Sequence, residues 1–392
     1  MNRHFLQIAF LLFMGTMVCA EQAARTKYHF DFHAGTPPNF AVDVEEGNYD
    51  VTICFGDPSR ATETTVKVES RRLMLLRVET APGKYVTRSF TVNVRQPTIA
   101  TLNRREKGPP PVPDWDERLS FEFLGKHPGV VSMEIEPAKD AITIFIAGDS
   151  TVTDQPHEPY AGWGQMLPCF FGRGVAVSNQ AESGLALHSF EQQKRLEKIL
   201  SMMKKGDFLF IQFGHNDQKD KRKNAGPFTT YKENLKRFVG AARSRGGFPV
   251  LVTPMERRRF DKDGKPFATL ADYAEAVRQV GAEENVPVID LNAMSLQLYG
   301  ALGPDSSKKA FVHYPANTFP GQTKPLEDNT HHNAYGAYEL ARCVVEGIRS
   351  NVPVLAKFLT DSGFDPRKPD AAEAVNIPAS PLTGLTEKPA GS

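Results

Sequence analysis

The sequence predicts two successive domains, an all-β sandwich followed by an α/β domain built on a parallel sheet. Residues 26–138 contain short runs rich in Val, Thr and Phe, several of them alternating, with turn residues between them. Such runs are typical of the antiparallel strands of a sandwich. From about residue 140, continuous apolar runs alternate with helical patterns. This alternation is typical of parallel strands that helices cover on both faces.

The first twenty residues predict an export signal. A positive segment at residues 1–4 precedes an apolar run at 5–18, and small residues follow at Cys19-Ala20. The apolar run is shorter than the roughly 20 residues that a membrane-spanning helix needs. We therefore expect cleavage after Ala20 and a secreted or periplasmic protein without a membrane span. A lipoprotein anchor at Cys19 is the alternative.

Seven segments of the first half are predicted as strands, and a Pro-rich stretch among them is predicted as an exposed loop. The strand segments are 28–32, 49–57, 64–70, 73–80, 86–95, 118–125 and 130–137, and the loop is 109–113. These segments define a sandwich domain over residues 26–138.

The second domain is predicted over residues 140–362. Its strands are expected at 141–148, 174–179, 207–214, 248–254 and 286–291, and its helices at 190–204, 231–244, 269–284 and 334–349. The following segment, 365–392, is rich in Pro, Ala and Lys and is predicted to be disordered.

Charge and cysteine content argue against several classes of protein. The chain has 47 Lys and Arg against 46 Asp and Glu, so its net charge does not indicate a nucleic-acid partner. No CxxC or HExxH pattern occurs, so no metal is expected. If Cys19 is removed with the signal, Cys54, Cys169 and Cys343 remain, either as one pair and one thiol or as three thiols.

Four polar motifs follow the predicted strands or precede the last helix. Gly148-Asp149-Ser150, Glu182-Ser183-Gly184 and Gly214-His215-Asn216-Asp217 follow the first three strands of the second domain, and Asp328 to His331 precedes the helix at 334–349. Because the carboxyl ends of parallel strands share one edge of the sheet, these motifs are expected to converge.

The residue types in these motifs suit ester hydrolysis. A serine hydroxyl needs a base to take its proton and a third group to orient that base, roles for which Ser150, His331 and Asp328 are candidates. The amides of Ser150 and Gly184 and the side chain of Asn216 could stabilise an oxyanion. Taken singly, Gly-Asp-Ser is more often a turn, and Asp328 with His331 could belong to a network at the helix start. Their joint occurrence favours the catalytic interpretation.

The four motifs resemble those of the SGNH (GDSL) hydrolase superfamily. More narrowly, "GDSTV", "GWGQML", "FGHND" and "DNTHHNAYGA" are similar to the rhamnogalacturonan acetylesterase family, over roughly residues 141–350. The resemblance implies a flavodoxin-like three-layer α/β/α domain that needs no cofactor. It also implies a catalytic triad and an oxyanion hole, formed by Ser150, Asp328 and His331 and by Ser150, Gly184 and Asn216.

Two further features bear on the substrate. Members of the narrower family often carry Gly-Arg-Ser in the second motif, where this chain has Gly184-Leu185-Ala186, so the polysaccharide remains open. The first half resembles the galactose-binding-like jelly-roll domains that precede some of these esterases. Such a domain could bind sugar or serve as a scaffold.

Some residues are candidates for substrate binding. His215 could line the pocket or be structural, and Trp163 could stack on a sugar ring or be a buried anchor. Arg257 and Arg258 could bind galacturonate carboxylates, since arginine forks suit that group, or form a solvated charged loop. His332 is expected to be a neighbour of the base, because the Asp-x-x-His spacing selects His331.

The sequence therefore predicts an exported serine esterase that removes acetyl groups from a plant cell-wall polysaccharide, with rhamnogalacturonan as the expected substrate. Two alternatives stay open. One is hydrolysis of acetylxylan or of another acyl ester, such as a lipid or thioester, by the same machinery. The other, of a different class, is a carbohydrate-binding protein whose hydrolase domain is inert. The sequence predicts no particular oligomeric state.

Overall fold

The computed structural model describes residues 27–32, 35–99, 115–381 and 388–390. The predicted export signal and the Pro-rich loop at 109–113 lie outside these residues. The described residues form two antiparallel four-stranded sheets, one parallel five-stranded sheet, a two-stranded hairpin and the helices that cover the parallel sheet.

The first half of the chain contains eight strands in two facing sheets. The sheets have the orders β1-β8-β3-β6 and β2-β7-β4-β5, and neighbouring strands within each are antiparallel. The strands are β1 (Tyr28–Asp31), β2 (Asn39–Asp43), β3 (Gly47–Gly56), β4 (Thr62–Val68), β5 (Arg72–Thr80), β6 (Tyr85–Val94), β7 (Arg118–His127) and β8 (Val130–Pro137).

The alternating pattern of β3 explains why this half folds as a sandwich. Val51, Ile53 and Phe55 are fully buried, whereas the residues between them are partly exposed. Successive side chains of a strand point to opposite faces, so one face of β3 enters the core between the sheets. The all-β prediction for this half is confirmed, although the sequence missed β2.

The second half contains the parallel sheet, in the order β10-β9-β11-β12-β13. In this sheet β9 is Ile142–Gly148, β10 is Val175–Asn179, β11 is Phe208–Gln212, β12 is Phe248–Val252 and β13 is Val288–Ile289. Neighbouring strands are all parallel. With β9 counted as the first strand of the domain, the order is 2-1-3-4-5, as in flavodoxin-like folds.

Helices cover both faces of this sheet. The bounds are α1 (Trp163–Met166), α2 (Leu187–Gln192), α3 (Arg195–Met202), α4 (Lys232–Ser244), α5 (Ala271–Glu284), α6 (Leu291–Ser306), α7 (Ala334–Asn351) and α8 (Pro353–Ala356). In β9, Ile144 and Ile146 pack into one core with residues of α1, α6 and α7, whereas Phe145 and Ala147 pack into another with residues of α2 to α5. The continuous apolar runs therefore reflect burial on both faces, and the α/β prediction is confirmed.

Two details of the helices differ from the prediction. The helix expected at 190–204 is divided into α2 and α3, because Lys194 adopts a left-handed conformation with φ of 63°. The helix α6 was not predicted. Its sequence contains Gly303 and Pro304 near the end, and Gly303 has a non-helical φ of 73°.

The two domains meet through buried charged side chains. Arg95 of the sandwich lies 2.8 Å from Asp154 of the second domain, and both side chains are almost fully buried. The Lys198 ammonium of α3 is likewise buried and pairs with Glu46 of the sandwich at 2.5 Å. Because a buried charge is costly without a partner, these pairs restrict how the domains can sit on each other.

The segment predicted to be disordered makes specific contacts where the structure describes it. The Lys67 ammonium donates to the Pro378 carbonyl at 2.6 Å, and the Ser380 amide donates to Glu158 at 3.0 Å. Val375 is buried against the core of the second domain. The composition predicted disorder because this segment has too few apolar residues to form a core alone. In the structure it instead packs against the core of the second domain and binds buried charged side chains of both domains.

The three described cysteines are not paired. Cys54, Cys169 and Cys343 are free thiols, so the alternative with one disulfide among them is wrong. Burial raises the pKa of both Cys169 and Cys343 well above the usual value for a thiol.

Among the described residues, every helix is too short or too polar to span a membrane.

Candidate active site

Ser150 lies in a tight turn at the carboxyl end of β9. The buried carboxylate of Asp149 accepts hydrogen bonds from the Thr151 amide and hydroxyl at 3.0 and 2.7 Å, and the Asp149 carbonyl accepts from two later amides. Gly148 is required by close packing, because a Cβ there would lie 2.7 Å from Val152. The turn thus fixes the backbone that carries the Ser150 hydroxyl.

Asp328 and His331 lie on a strand that the sequence did not predict. The hairpin consists of β14 (Phe311–Tyr314) and β15 (Leu326–His332). Its register jumps, since Val312 pairs with Asp328 whereas the preceding residue, Phe311, pairs with His332. The residues between the two pairs leave the regular ladder, and this irregularity lets two side chains three positions apart meet on one side.

Ser150, His331 and Asp328 form a continuous chain of hydrogen bonds. The His331 Nδ1 lies 2.9 Å from Asp328 Oδ2, and His331 Nε2 lies 2.9 Å from Ser150 Oγ. A carboxylate can only accept, so Nδ1 carries the hydrogen and Nε2 is left as an acceptor for the serine hydroxyl. The predicted convergence across 181 residues of sequence is present in the structure.

The carboxyl of Asp328 is held in its charged form. Burial alone would raise its pKa, but the hydrogen bond and charge of His331 and the amides of Thr330 and His331 lower the pKa well below the usual range. Those amides donate to Asp328 Oδ1 at 2.8 and 3.0 Å. The two carboxylate oxygens therefore have separate tasks, one fixing the backbone and the other fixing the imidazole.

The candidate oxyanion donors Gly184 and Asn216 follow β10 and β11, the two strands that flank β9 in the sheet. Among the described residues, neither the Ser150 amide nor the Gly184 amide donates a hydrogen bond. Gly184 has a φ of +82°, which only glycine adopts readily. The Asn216 side chain donates one hydrogen bond to the Leu185 carbonyl at 3.1 Å, which leaves its second N–H available.

Asp217 joins the start of α2, just after the second motif, to the third motif, a role that the sequence did not predict. Its carboxylate accepts from the Leu187 amide and from the Gly214 amide, both at 3.1 Å. Burial raises the pKa of Asp217 to about 7. By holding two loops together, it fixes the separation between Gly184 and Asn216.

His215 is buried beside the turn that carries Ser150. Its Nδ1 lies 3.6 Å from Asp149 Oδ2, which exceeds a hydrogen-bond distance. Burial lowers the pKa of His215, with an opposing contribution from Asp149. We expect a neutral ring next to the site, and the choice between substrate contact and structural support stays a prediction.

Trp163 serves the fold, which corrects its proposed contact with a sugar ring, whereas Arg258 is partly exposed and held by other side chains. Trp163 is fully buried, and its indole N–H donates to Gln212 at 2.7 Å, so its ring cannot stack on a sugar. The Arg258 guanidinium donates to Ser307 at 3.0 Å and to Asn329 at 2.9 Å. Arg258 therefore supports β15, and its contact with a substrate carboxylate stays a prediction.

Arg257 lies beside the third motif. Its guanidinium donates to the Gln218 side chain at 2.9 Å and to the His215 carbonyl at 3.4 Å. Burial lowers the pKa of Arg257, and the nearby charges of Glu256 and Asp149 oppose this change. Its contact with a substrate carboxylate stays a prediction.

Among the residues that the structure describes, no group of three or more His, Cys, Asp or Glu side chains is arranged to hold a metal ion.

Comparison with known proteins places this arrangement in a family. The model of the GDSL-like lipase/acylhydrolase family matches residues 146–336. A relative named rhamnogalacturonan acetylesterase RhgT, from Bacillus subtilis, is 45% identical over 212 residues, which are 54% of this chain and 90% of that protein. The chain belongs to the GDSL-like lipase/acylhydrolase family. It is therefore an esterase.

Two more relatives extend the comparison. The Bacillus subtilis protein named probable rhamnogalacturonan acetylesterase YesY is 34% identical over 209 residues, covering 53% of this chain and 92% of that protein. The crystal structure of YxiM, also from Bacillus subtilis, has 25% sequence identity and a TM-score of 0.48, and covers 80% of each chain.

His332 of this esterase is predicted to lower its stability in acid. The ring is buried, its Nε2 is 2.9 Å from the Tyr299 hydroxyl, and burial with the nearby His331 and His215 lowers its pKa from 6.5 to about 3. Between these values the unfolded chain binds a proton that the folded ring does not, so stability falls as pH decreases below about 6.5.

Replacing this residue is the corresponding test. Between pH 6.5 and pH 5, the unfolding free energy of His332→Gln should fall by about 2 kcal/mol less than that of the parent. Urea unfolding transitions at the two pH values would measure the difference. The glutamine carbonyl can still accept from Tyr299, and ester hydrolysis at pH 7.5 should stay near the parental rate. Equal losses of stability in both proteins would contradict the prediction.

The described end of the chain lies against the candidate site. The Lys388 ammonium is 3.9 Å from Asp328 Oδ2, and Ala390 fills the space beside Gly184. Ser150 is only 3% exposed. Residues 388–390 therefore lie beside two groups of the candidate site, the Asp328 carboxylate and the backbone of Gly184.

Removing residues 388–392 is expected to lower KM for a polymeric substrate. The loss of the Lys388–Asp328 pair and of the cover at Gly184 should lower KM about two- to fivefold, since exposed ion pairs contribute up to about 1 kcal/mol. Steady-state kinetics would measure the change. The thermal midpoint is the control, because the contacts of Val375 and Ser380 remain. An unchanged or higher KM would contradict the prediction.

Proposed function

We propose that this esterase hydrolyses acetyl esters of plant cell-wall pectin, with rhamnogalacturonan as substrate, through a Ser-His-Asp acyl-enzyme mechanism. The observation that carries the mechanism is the pair of 2.9 Å contacts linking Ser150, His331 and Asp328. The name of RhgT, at 45% identity, supports the substrate. The proposed roles are nucleophile for Ser150, general base for His331 and orienting acid for Asp328.

In the first half-reaction the Ser150 oxygen attacks the acetyl carbonyl carbon. His331 Nε2 takes the serine proton, and the carbonyl oxygen becomes an oxyanion that the amides of Ser150 and Gly184 and the Asn216 side chain stabilise. The imidazolium then gives its proton to the departing sugar oxygen as the ester bond breaks. The products of this step are the free sugar hydroxyl and an acetyl group on Ser150.

In the second half-reaction water replaces the sugar. His331 takes a proton from the water while the water oxygen attacks the acetyl carbon, and the same donors stabilise the second oxyanion. The bond to Ser150 breaks, the serine oxygen regains the proton from His331, and acetate leaves. Asp328 remains charged throughout and stabilises the imidazolium that forms twice in the cycle.

The substrate assignment is tested by acetate release from defined polymers. The purified chain would be incubated with acetylated rhamnogalacturonan, acetylated homogalacturonan, acetylxylan and an acyl ester with a long chain, beside Ser150→Ala. We expect the highest kcat/KM on rhamnogalacturonan and no release above background from the variant. Faster release from acetylxylan would overturn the substrate, and release from no ester would favour a binding protein.

Arg257 is predicted to favour acidic polymers. A charge-assisted hydrogen bond to a galacturonate carboxylate contributes about 1.5 kcal/mol or more, so Arg257→Ala should lower kcat/KM on acetylated pectin about tenfold more than on a small neutral ester. The extra loss should shrink at high salt. Arg259→Ala, an exposed neighbour, is the control. Equal losses on the two substrates would remove this role.

We also propose that the protein acts outside the cytoplasm, after cleavage behind Ala20. A polymeric cell-wall substrate cannot enter a cell, which agrees with the export signal predicted at residues 1–20. Amino-terminal sequencing of protein recovered from the medium or periplasm would test the cleavage position. Recovery of the intact amino terminus in the cytoplasm alone would contradict the proposal.

A further inference from the structure

The sandwich contacts the catalytic domain through the tip of the β4–β5 hairpin. The tip consists of Glu69, Ser70 and Arg71, and both Glu69 and Arg71 are left-handed, with φ of 56° and 59°. This conformation costs a residue with a side chain about 1 kcal/mol or more. A tip that only reversed the chain direction would favour Gly or Asn at these positions. The presence of Glu69 and Arg71 there indicates that their side chains make contacts that offset this cost.

The Arg71 side chain reaches the segment that follows the candidate nucleophile, residues 150–160, which we call the nucleophile loop. Its Nη1 donates to the Gln155 carbonyl at 2.9 Å and to the Tyr160 carbonyl at 3.1 Å. Its Nη2 lies 2.6 Å from the Glu158 carboxylate. The guanidinium of Arg71, a residue that is only 4% exposed, therefore joins three points of this loop to the sandwich.

Gln155 extends this connection to the serine. Its Nε2 donates to the Ser150 carbonyl at 2.6 Å, and it also lies 3.3 Å from the Ser183 hydroxyl. Gln165 completes the framework by donating to the Ser70 carbonyl at 2.6 Å and to the Gln155 carbonyl at 3.0 Å. The path from Arg71 to the backbone of Ser150 thus passes through a single residue.

The other end of the loop lies against the candidate base. The Tyr160 ring packs edge-on against His331, with ring centroids 5.9 Å apart, and the next amide, Ala161, donates to the His332 carbonyl at 2.9 Å. Because Arg71 holds the Tyr160 carbonyl, the same guanidinium also restricts the surface on which the imidazole rests.

We propose that Arg71 is a positioning residue, through which the sandwich domain holds Ser150 and His331 at the distance and orientation that catalysis requires. The proposal rests on the function proposed above for these two residues. A displacement of about 1 Å at the reacting groups can cost about 100-fold in rate, so a side chain without substrate contact can act strongly on kcat. The sandwich is thereby a working part of the esterase, whether or not it binds glycan.

Arg71→Lys in the full chain is the first test. Lysine keeps the charge near Glu158, but one ammonium cannot reproduce the planar fork that spans three acceptors. We expect kcat for p-nitrophenyl acetate to fall about tenfold or more, with KM within about twofold because the residue does not touch the ester. Labelling of Ser150 by a fluorophosphonate should slow by a similar factor.

Arg71→Ala with added guanidine provides a second test. A free guanidinium ion can occupy the space left by the side chain, and millimolar guanidine should restore part of kcat to this variant while leaving the parent unchanged. Gln155→Glu keeps the side-chain size but loses the donor to the Ser150 carbonyl, and should lower kcat in the same way. This variant keeps the proposal testable if both changes at Arg71 prevent folding.

The matched control is Arg173→Ala. Arg173 pairs with Asp50 and Glu136 of the sandwich at 2.6 and 2.7 Å, and no contact joins it to the nucleophile loop within the part of the chain that the structure describes. Its kcat should remain close to parental. Thermal midpoints for all variants would separate a loss of folded protein from a loss of rate.

Several results would overturn the proposal. Parental kcat and labelling in a folded Arg71→Lys or Gln155→Glu variant would do so, as would an equal loss in Arg173→Ala. The proposed function fails differently, because Ser150→Ala would then keep activity or the parent would resist labelling. Failure of the positioning role leaves the dependence on Ser150 intact.

Discussion

Ser150→Ala is expected to lower kcat for acetate release by about 10⁴- to 10⁶-fold. The variant loses the oxygen that would carry the acetyl group, and the remaining imidazole can only activate water without the covalent step. KM for the ester should change little, because the hydroxyl contributes to the reaction more than to substrate binding. Steady-state release of acetate from acetylated rhamnogalacturonan, together with fluorophosphonate labelling, would measure both effects.

His331→Ala should lower kcat by a similar factor, and the double variant should be no slower than either single one. Residues that act as one unit show this lack of additivity, because removing any member stops the shared step. Ser189→Ala, whose hydroxyl caps α2 near the second motif, is a control that should keep the parental rate. Multiplying losses in the double variant would contradict a shared mechanism.

The sequence was sufficient for the fold class because burial on one or two faces leaves different patterns. The alternation of β3 predicted a strand of a sandwich, and the continuous run of β9 predicted a strand covered on both faces. The same reasoning missed β2, because five residues are too few to show a clear alternation. It also missed α6, in which Gly303 and Pro304 interrupt the helical pattern.

The candidate site was predictable where its residues follow strands. Ser150, Gly184 and Asn216 stand at the ends of consecutive parallel strands, which must share one edge of the sheet. Asp328 and His331 were placed only before the last helix, whereas they lie on an irregular strand whose register is set by its partner β14. No pattern within a single segment reports such a pairing.

Side-chain environments were the least predictable part. Trp163 is fully buried and donates its indole N–H to Gln212, a residue distant in sequence, so its structural role could not be predicted from the residues around it. Arg71 has no motif around it, and its proposed role depends on three groups that come together only when the sandwich packs on the second domain. The carboxyl-terminal segment was judged by its own composition, although its contacts are supplied by buried ions such as Lys67 and Glu158 elsewhere in the chain.

Asp328→Asn is expected to lower kcat by about 10⁴-fold while leaving the fold intact. The amides of Thr330 and His331 donate to Asp328 Oδ1, so an asparagine would place its carbonyl oxygen there. Its NH₂ group would then face His331 Nδ1, which must become an acceptor. The hydrogen moves to Nε2, and the ring can no longer accept the proton of Ser150.

The neighbouring Glu327 supplies a matched control for this change. It is exposed and one residue away, so Glu327→Gln removes the same charge without changing the tautomer of His331, and kcat should stay near the parental value. A two-dimensional NMR spectrum of the imidazole nitrogens would report which nitrogen carries the hydrogen in each protein. If Asp328→Asn loses less than about tenfold in kcat, far below the value for an inverted tautomer, the carboxylate does not orient the base. The short Asp328–His331 contact would then serve only to shape the irregular strand.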